Sequence, residues 1–333
     1  MAGPDPVPRA SFVNFVAETK KKHIGRNLSE EEPKPYVPLS ALREYWTASN
    51  VADVLRAFST HPGVDVPPIR RSYLRIFSIL VLTNDEAVRK LPSYFMSRGI
   101  TDDKLPWTQR PTEWPDEKLY NDFFDAMEKH QWQFYPFEFH PDHLYDRIIS
   151  SDRILPISFR EQLKHGTAAS VRSFSIHPEY NHLMRRVRLF SHPVGMISIA
   201  DISASRGEQD QPLQSTFVLK TYHTKKHLSS YTRECDALLR LRSNASSNVV
   251  HFYGSFRQLG SYALLLEHAD GGSMGDFFTT SPPPRTLEDI VTFWRSLFQV
   301  FDGLDRIHQL MMYNEEVVKG LVTPQLDGIR EPS

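Results

Sequence analysis

Three residues, a glycine, a lysine and a glutamate, stand where their types and spacing could build a charged site. Gly166 lies among small residues in Leu163-Lys164-His165-Gly166-Thr167-Ala168-Ala169-Ser170-Val171, and a glycine there lets backbone N–H groups come close to a bound anion. Lys220 closes the apolar run Phe217-Val218-Leu219, which would fix an ammonium at the end of a rigid strand. Glu234 follows fourteen residues later in the helix-like stretch Tyr231–Leu241, with Leu238 one turn beyond it on the same face. Each has a plainer alternative: a glycine turn, a strand-end lysine, an exposed helical carboxylate.

Other chemistries are less well served. His223-x-x-x-His227 has helical metal spacing, but it sits beside Lys225 and Lys226 with no carboxylate ligand and reads as a solvated loop. His140-Pro141-Asp142-His143 lacks a third ligand at useful spacing. No G-x-S-x-G elbow accompanies the many serines and histidines, which argues against a hydrolase. Cys235 reads as a buried filler on its helix, and the single cysteine excludes an internal disulfide or a cysteine-built metal site. Trp132–Phe139 is aromatic-rich without an interleaved basic stripe, so core packing is favoured over base stacking.

A fourth segment gives the three candidates a common frame. Asn248-Val249-Val250-His251-Phe252-Tyr253-Gly254-Ser255-Phe256 precedes Tyr262-Ala263-Leu264-Leu265-Leu266-Glu267-His268-Ala269-Asp270-Gly271-Gly272-Ser273-Met274. Taken in order, the four pieces resemble the front half of a eukaryotic protein kinase of the serine/threonine type over about residues 155–310. The resemblance implies a glycine-rich loop in which Gly166 keeps the middle glycine while Lys164 and Ala169 replace the other two. It implies that Lys220 reaches the α- and β-phosphates of ATP and that Glu234 pairs with it. Leu266 then stands as gatekeeper beside the adenine pocket, and backbone groups of Glu267 and Ala269 bond the adenine edge, so that their side chains matter little. The implied cofactor-binding set is Gly166, Val171, Lys220, Glu234, Leu266, Glu267 and Ala269. The preceding stretch, including Leu91-Pro92-Ser93-Tyr94-Phe95, is similar to the helical leader on some kinase-like proteins of filamentous fungi.

The family pattern stops short of its chemistry. A kinase needs an aspartate in an H-R-D-type loop, a downstream asparagine and a D-F-G aspartate for Mg²⁺. After Ile307-His308 the sequence runs through Met311–Lys319 to Gly320 and Ser333, where Asp327-Gly328 resembles D-F-G without a catalytic loop before it. The expectation is a truncated or pseudokinase form, or a tail translated from an intron, with no catalytic residues and no metal ligands. Such a chain holds ATP weakly, takes Mg²⁺ only in a full-length form and does not transfer phosphate. The other reading is a non-catalytic interaction module built on a degenerate kinase lobe.

The elements that must position these residues follow from periodicity. Asn50 is placed as the N-cap of a helix carrying Val51, Val54, Leu55 and Phe58, which His61-Pro62-Gly63 ends. Pro67-Pro68 opens a second helix with Ile69, Tyr73, Ile76, Phe77 and Leu80, predicted central and buried. Pro115 starts a third with Leu119, Phe123 and Met127. Strands are expected at Phe174–Ile176, Phe217–Leu219, Val249–Phe252 and Tyr262–Leu266, with a flexible insertion over Arg206–Ser215. Thr286 and Asp289 make a capping box for a helix whose stripe from Leu287 to Leu304 demands a cover, such as a protein partner.

The fold class expected is α+β: a flexible arm (1–36) with a helix near Phe12–Lys22, a helical extension (37–150), a partial kinase-like domain (151–310) of antiparallel sheet, one sheet-side helix and a truncated helical second lobe, and an irregular tail (311–333). The bulk numbers agree with a folded chain: 333 residues, 40% hydrophobic, with 21 Phe and 13 Tyr. The net charge of -1, from 39 basic and 40 acidic residues, gives no global field for nucleic acid or an anionic membrane. Ile76–Leu82, the longest apolar stretch, is far below the roughly 20 residues of a membrane span. Met1–Ala10 has no apolar signal-like run, so an intracellular protein, cytoplasmic or nuclear, is expected.

Overall fold

The computed structural model describes residues 7–28, 32–60, 64–83, 85–111, 114–166, 168–183, 216–222, 227–243, 249–269, 272–280 and 282–310. The expected insertion at Arg206–Ser215, the His61-Pro62-Gly63 stop, His223 and the tail 311–333 lie outside these residues.

The first half is helical: α1 (Val7–Lys22), α2 (Leu39–Tyr45), α3 (Ala48–Ala57), α4 (Val66–Ser72), α5 (Leu74–Thr83), α6 (Asp85–Arg98) and α7 (Lys118–Phe134). α5 reads LRIFSILVLT, apolar on all sides, and it is accordingly the buried hub against which α1, α2, α4, α6 and α7 pack. The single helix predicted through Tyr73 is two, because the Asp102 carboxylate accepts the Arg75 and Ile76 N–H groups at 2.9 and 3.0 Å and so caps α5 separately. α3 is capped three residues before the expected Asn50, by Thr47, whose Oγ1 accepts the Asn50 N–H at 3.1 Å. α7 begins at Lys118 rather than Pro115.

The loosely ordered arm predicted over 1–36 is corrected over its described part. Phe12 is fully buried, its ring 4.6 Å from that of Trp46, and Val16 is buried with it. Burying two such side chains contributes on the order of 4 kcal/mol, enough to dock α1. Beyond it, β1 (Ile24–Gly25) and β2 (Lys34–Pro35) form a short ribbon, and Arg26 exchanges backbone hydrogen bonds with Leu155 at 2.9 and 2.8 Å.

The second half carries a six-stranded mixed sheet in the order β3-β7-β8-β6-β5-β4. The strands are β3 (Arg147–Ile148), β4 (Ile157–His165), β5 (Ser170–Ile176), β6 (Thr216–Tyr222), β7 (Phe252–Gln258) and β8 (Ser261–Glu267). Only β3 runs parallel to its neighbour; the other pairs are antiparallel. The fold class is therefore α+β. The strand predicted at Val249–Phe252 starts at Phe252, and β4, at the sheet edge, was not anticipated.

Period-2 alternation gives the sheet two faces. Phe174, Phe217, Leu219, Phe256, Ala263 and Leu265 pack under Phe137, Phe139, Leu144, Ile149 and Leu155. Tyr222, Phe252, Tyr262 and Leu264 lie on the opposite face under Tyr231 and Cys235 of α8 (Leu228–Ser243). Helical and sheet halves meet at Tyr135, whose ring takes the Arg75 guanidinium at 4.7 Å and that of Arg153 at 4.0 Å.

α9 (Met274–Thr280) and α10 (Leu287–Leu310) follow. The predicted capping box forms: the Asp289 N–H donates to Thr286 Oγ1 and the Thr286 N–H to Asp289 Oδ2, both at 3.1 Å. Leu287, Trp294, Phe298 and Phe301 are exposed. No described helix is long and apolar enough to cross a membrane.

Candidate functional site

Strand β6 positions Lys220 between buried Leu219 and Thr221, which face the other layer. Register then sets its neighbours. Val171 of β5 and Leu264 of β8 lie directly across from Lys220, and Val218, one row along, lies across from Leu266. Directly opposed residues share a face, so Val171, Lys220, Leu264, Val218 and Leu266 form one surface. Leu266 and Leu238 pack at its margin, as does Ala169 from the β4–β5 turn.

Over that surface α8 brings Glu234. The Lys220 ammonium donates to both carboxylate oxygens, at 2.7 Å to Oε1 and 2.6 Å to Oε2. The two side chains are 27% and 33% exposed, so the pair is shielded but within reach of a ligand. Tyr222, two residues beyond Lys220 and thus on its face, donates its hydroxyl to Glu234 Oε2 as well. Burial first, then the Glu234 bond and charge, raise the Tyr222 phenol well above its ordinary range, so it stays a donor.

Gly166 opens the four-residue turn between β4 and β5, its N–H donating to the Ala169 carbonyl at 3.0 Å. A Cβ at Gly166 would sit 3.3 Å from that oxygen, which favours glycine here. The two ends of the turn thus close on each other, and Thr167 lies outside the described residues.

The end of β8 departs from expectation in one respect. The Glu267 N–H donates to the His251 carbonyl, and the Glu267 carboxylate accepts the His251 N–H, both at 2.9 Å. The side chain is therefore a clip that holds the approach to β7, and only the Glu267 carbonyl could address a ligand. Burial, together with the Arg242 charge, lowers the His251 pKa despite the opposing pull of Glu267. Ala269 lies exposed just past the strand.

The structure thus gathers Lys220, Glu234, Val171 and Leu266 around one face, with Gly166 at the turn above and Glu267 and Ala269 at the strand exit. Tyr222 was missed, although its separation of two from Lys220 places it on the same side of the strand. Also missed was a polar group behind α8, in which the Tyr231 hydroxyl donates to Asp146 Oδ1 at 2.8 Å and Arg257 Nη2 lies 2.5 Å from Asp146 Oδ2. Among the described residues no group of three or more His, Cys, Asp or Glu could hold a metal ion. A fixed cation beside an apolar floor can hold a phosphate and a flat ring together. No protein-family model matches the chain, and a search of curated proteins finds no match.

Proposed function

We propose that the sheet-bearing half is the nucleotide-gripping lobe of a protein serine/threonine kinase-like protein that binds ATP. The observation that carries this reading is the Lys220–Glu234 pair, formed between the third of five sequential antiparallel strands, β6, and the helix α8 that follows it. That arrangement is what the kinase resemblance calls for. ATP fits the residues present in two respects. The Lys220 ammonium is oriented by its carboxylate and remains partly exposed, and the floor beside it is aliphatic through Val171, Val218, Leu264 and Leu266.

In this reading Lys220 binds the α- and β-phosphates and Glu234 holds the ammonium in place. Leu266 borders the adenine, with the Glu267 carbonyl and Ala269 backbone on its edge. Gly166 leaves room for the phosphates beneath the turn. The site's carboxylate, Glu234, is committed to Lys220 and Tyr222, so nucleotide binding without phosphoryl transfer is proposed for the described residues.

The test is the melting temperature of the full chain with ATP, with and without Mg²⁺. At about 100 times Kd a ligand adds roughly 2.7 kcal/mol of stability. A rise of several degrees that disappears in Lys220→Met is the expected result, and no rise at millimolar ATP sinks the reading. The exposed row Trp294, Phe298 and Phe301 favours a second reading, a non-catalytic interaction module whose Leu287–Leu304 stripe is covered by a protein partner. An absent ATP shift in a well-folded chain would favour it.

A further inference from the structure

A segment at the outer edge of the sheet reaches α8. Leu144–Ile149, which contains β3, runs along the edge of β7 away from β8. The Ser255 N–H donates to the Leu144 carbonyl at 3.1 Å, the Asp146 N–H to Ser255 Oγ at 3.1 Å, and the Ile149 N–H to the Arg257 carbonyl at 2.8 Å. Asp146 itself has φ +43°, a left-handed conformation that aspartate tolerates better than most residues. An unfavourable backbone angle persists only where surroundings over-determine it, as they do here. Held in this way, the Asp146 carboxylate reaches past β7 to α8. One oxygen accepts the Tyr231 hydroxyl at 2.8 Å while the other faces Arg257 at 2.5 Å.

Tyr231 lies one helical turn before Glu234, on the same side of α8. Besides the Glu234 bonds to Lys220 and Tyr222, and a bond of the Tyr231 hydroxyl with Ser255, the interface is ring packing: Tyr231 against Tyr262 at 5.0 Å and against Tyr222 at 5.9 Å, beside a Cys235 Sγ–Ser255 Oγ contact of 3.4 Å. Apolar packing resists separation but is non-directional, so it permits a helix to slide or roll. A hydrogen bond from a rigid anchor does not.

We propose that Asp146 is a positioning residue for the Lys220–Glu234 pair, fixing α8 through Tyr231 at the height and rotation that bring Glu234 onto Lys220. The edge segment around β3 thereby sets the state of the site. Its bearing on ATP rests on the kinase-like reading, whereas the geometry it asserts does not.

The deciding measurement therefore uses no nucleotide. The full chain is treated with the acetyl ester of N-hydroxysuccinimide, and the acetylation rate of each lysine is followed by mass spectrometry. Asp146→Asn and Tyr231→Phe should each raise the rate at Lys220 several-fold, towards that of Glu234→Gln. Lys20, partly shielded on α1 and bonded to Gln133 at 3.0 Å, is the internal control. General loosening raises Lys20 and Lys220 together and overturns the proposal, and so does a Lys220 rate equal to wild type in both variants. Tyr231→Phe removes one oxygen and keeps the ring, so the test survives if the Asp146 variant does not fold.

Discussion

Tyr222 and Lys220 donate to the same Glu234 carboxylate, from two positions on one side of β6. The carboxylate is thus held by a charge and by a neutral donor that burial keeps protonated. The phenol cannot replace the ammonium as a phosphate ligand, but it can restrict where the carboxylate sits.

Tyr222→Phe isolates that contribution, because the ring and its packing against Tyr231 remain. Glu234 is partly exposed, so water replaces much of the lost bond, and we expect a stability loss of about 1 kcal/mol. ATP affinity should fall roughly threefold to tenfold, at about 1.4 kcal/mol per tenfold. Adenosine, which lacks the phosphates that Lys220 would meet, should bind unchanged. Titration calorimetry with both ligands checks this, and equal losses for the two would refute the placement of Lys220 at the phosphates.

Gln258 ties the segment at Leu28 to the sheet. Its buried amide accepts the Leu28 N–H at 3.0 Å and donates to the Ser150 and Arg153 carbonyls at 2.9 and 2.8 Å. Gln258→Ala leaves a buried N–H without its partner, at a cost of about 2–4 kcal/mol. Gln258→Glu should cost at least as much, since an ionised carboxylate has no donor for two carbonyls that it would then repel. Melting temperatures read the effect, at roughly 2–4 °C for each kcal/mol.

What the sequence disclosed, and what it hid, follows from how local each signal is. Phe217-Val218-Leu219 and Tyr262–Leu266 are short apolar runs between polar stretches, and both are strands, with Lys220 and Leu266 on one face. β4 escaped because it is an edge strand: Glu161, Gln162 and Lys164 interrupt any apolar alternation. α1 was legible as a helix near Phe12–Lys22 but not as a docked one, because it buries too few residues per turn for its stripe to stand out among charges. The break between α4 and α5 is made by Asp102, a residue 26 to 27 positions away from the amides it caps. Asp146 has no local mark at all; it meets Tyr231 85 residues later, through closure of the sheet. The strands that carry Lys220 and Leu266 were legible from local runs, whereas the distant anchors at Asp102 and Asp146 were not.

Gly254 makes that closure possible. Its φ is +153°, and a Cβ there would lie 2.0 Å from the Leu144 carbonyl oxygen and 2.5 Å from the Leu144 Cβ. Neither backbone can yield without losing the bonds between Leu144–Ile149 and β7. Gly254→Ala should therefore cost at least about 3 kcal/mol, through strain and lost pairing together. Hydrogen exchange should show the loss first in α8 and the Leu144–Ile149 segment, before α5. Uniform loss across both halves would mean that the segment folds only with the whole chain.

Acidification should loosen the junction at His23 and His177. Their rings lie 5.4 Å apart beside Tyr36, and His177 Nδ1 is buried with no hydrogen-bond partner among the described residues. Burial lowers both pKa values below the ordinary 6.5, helped by the Lys22 charge at His23 and by the His23 ring at His177, and Glu179 offsets only part of this. Near pH 6 the unfolded chain then binds more protons than the folded one, so stability falls as pH drops through about 6.5 towards the lower folded values. Asp102 works in the opposite direction: burial pushes it up to about 6, so it gains a proton on acidification while folded and adds stability between about 6 and 3.8. The two effects overlap in the wild-type protein, and the difference from a variant separates them. Urea midpoints for wild type and His177→Gln should converge between pH 7.5 and pH 5.5, because Asp102 is common to both and only the wild type carries the imidazole. If the gap between the two proteins does not change with pH, the histidine pair does not sense protons.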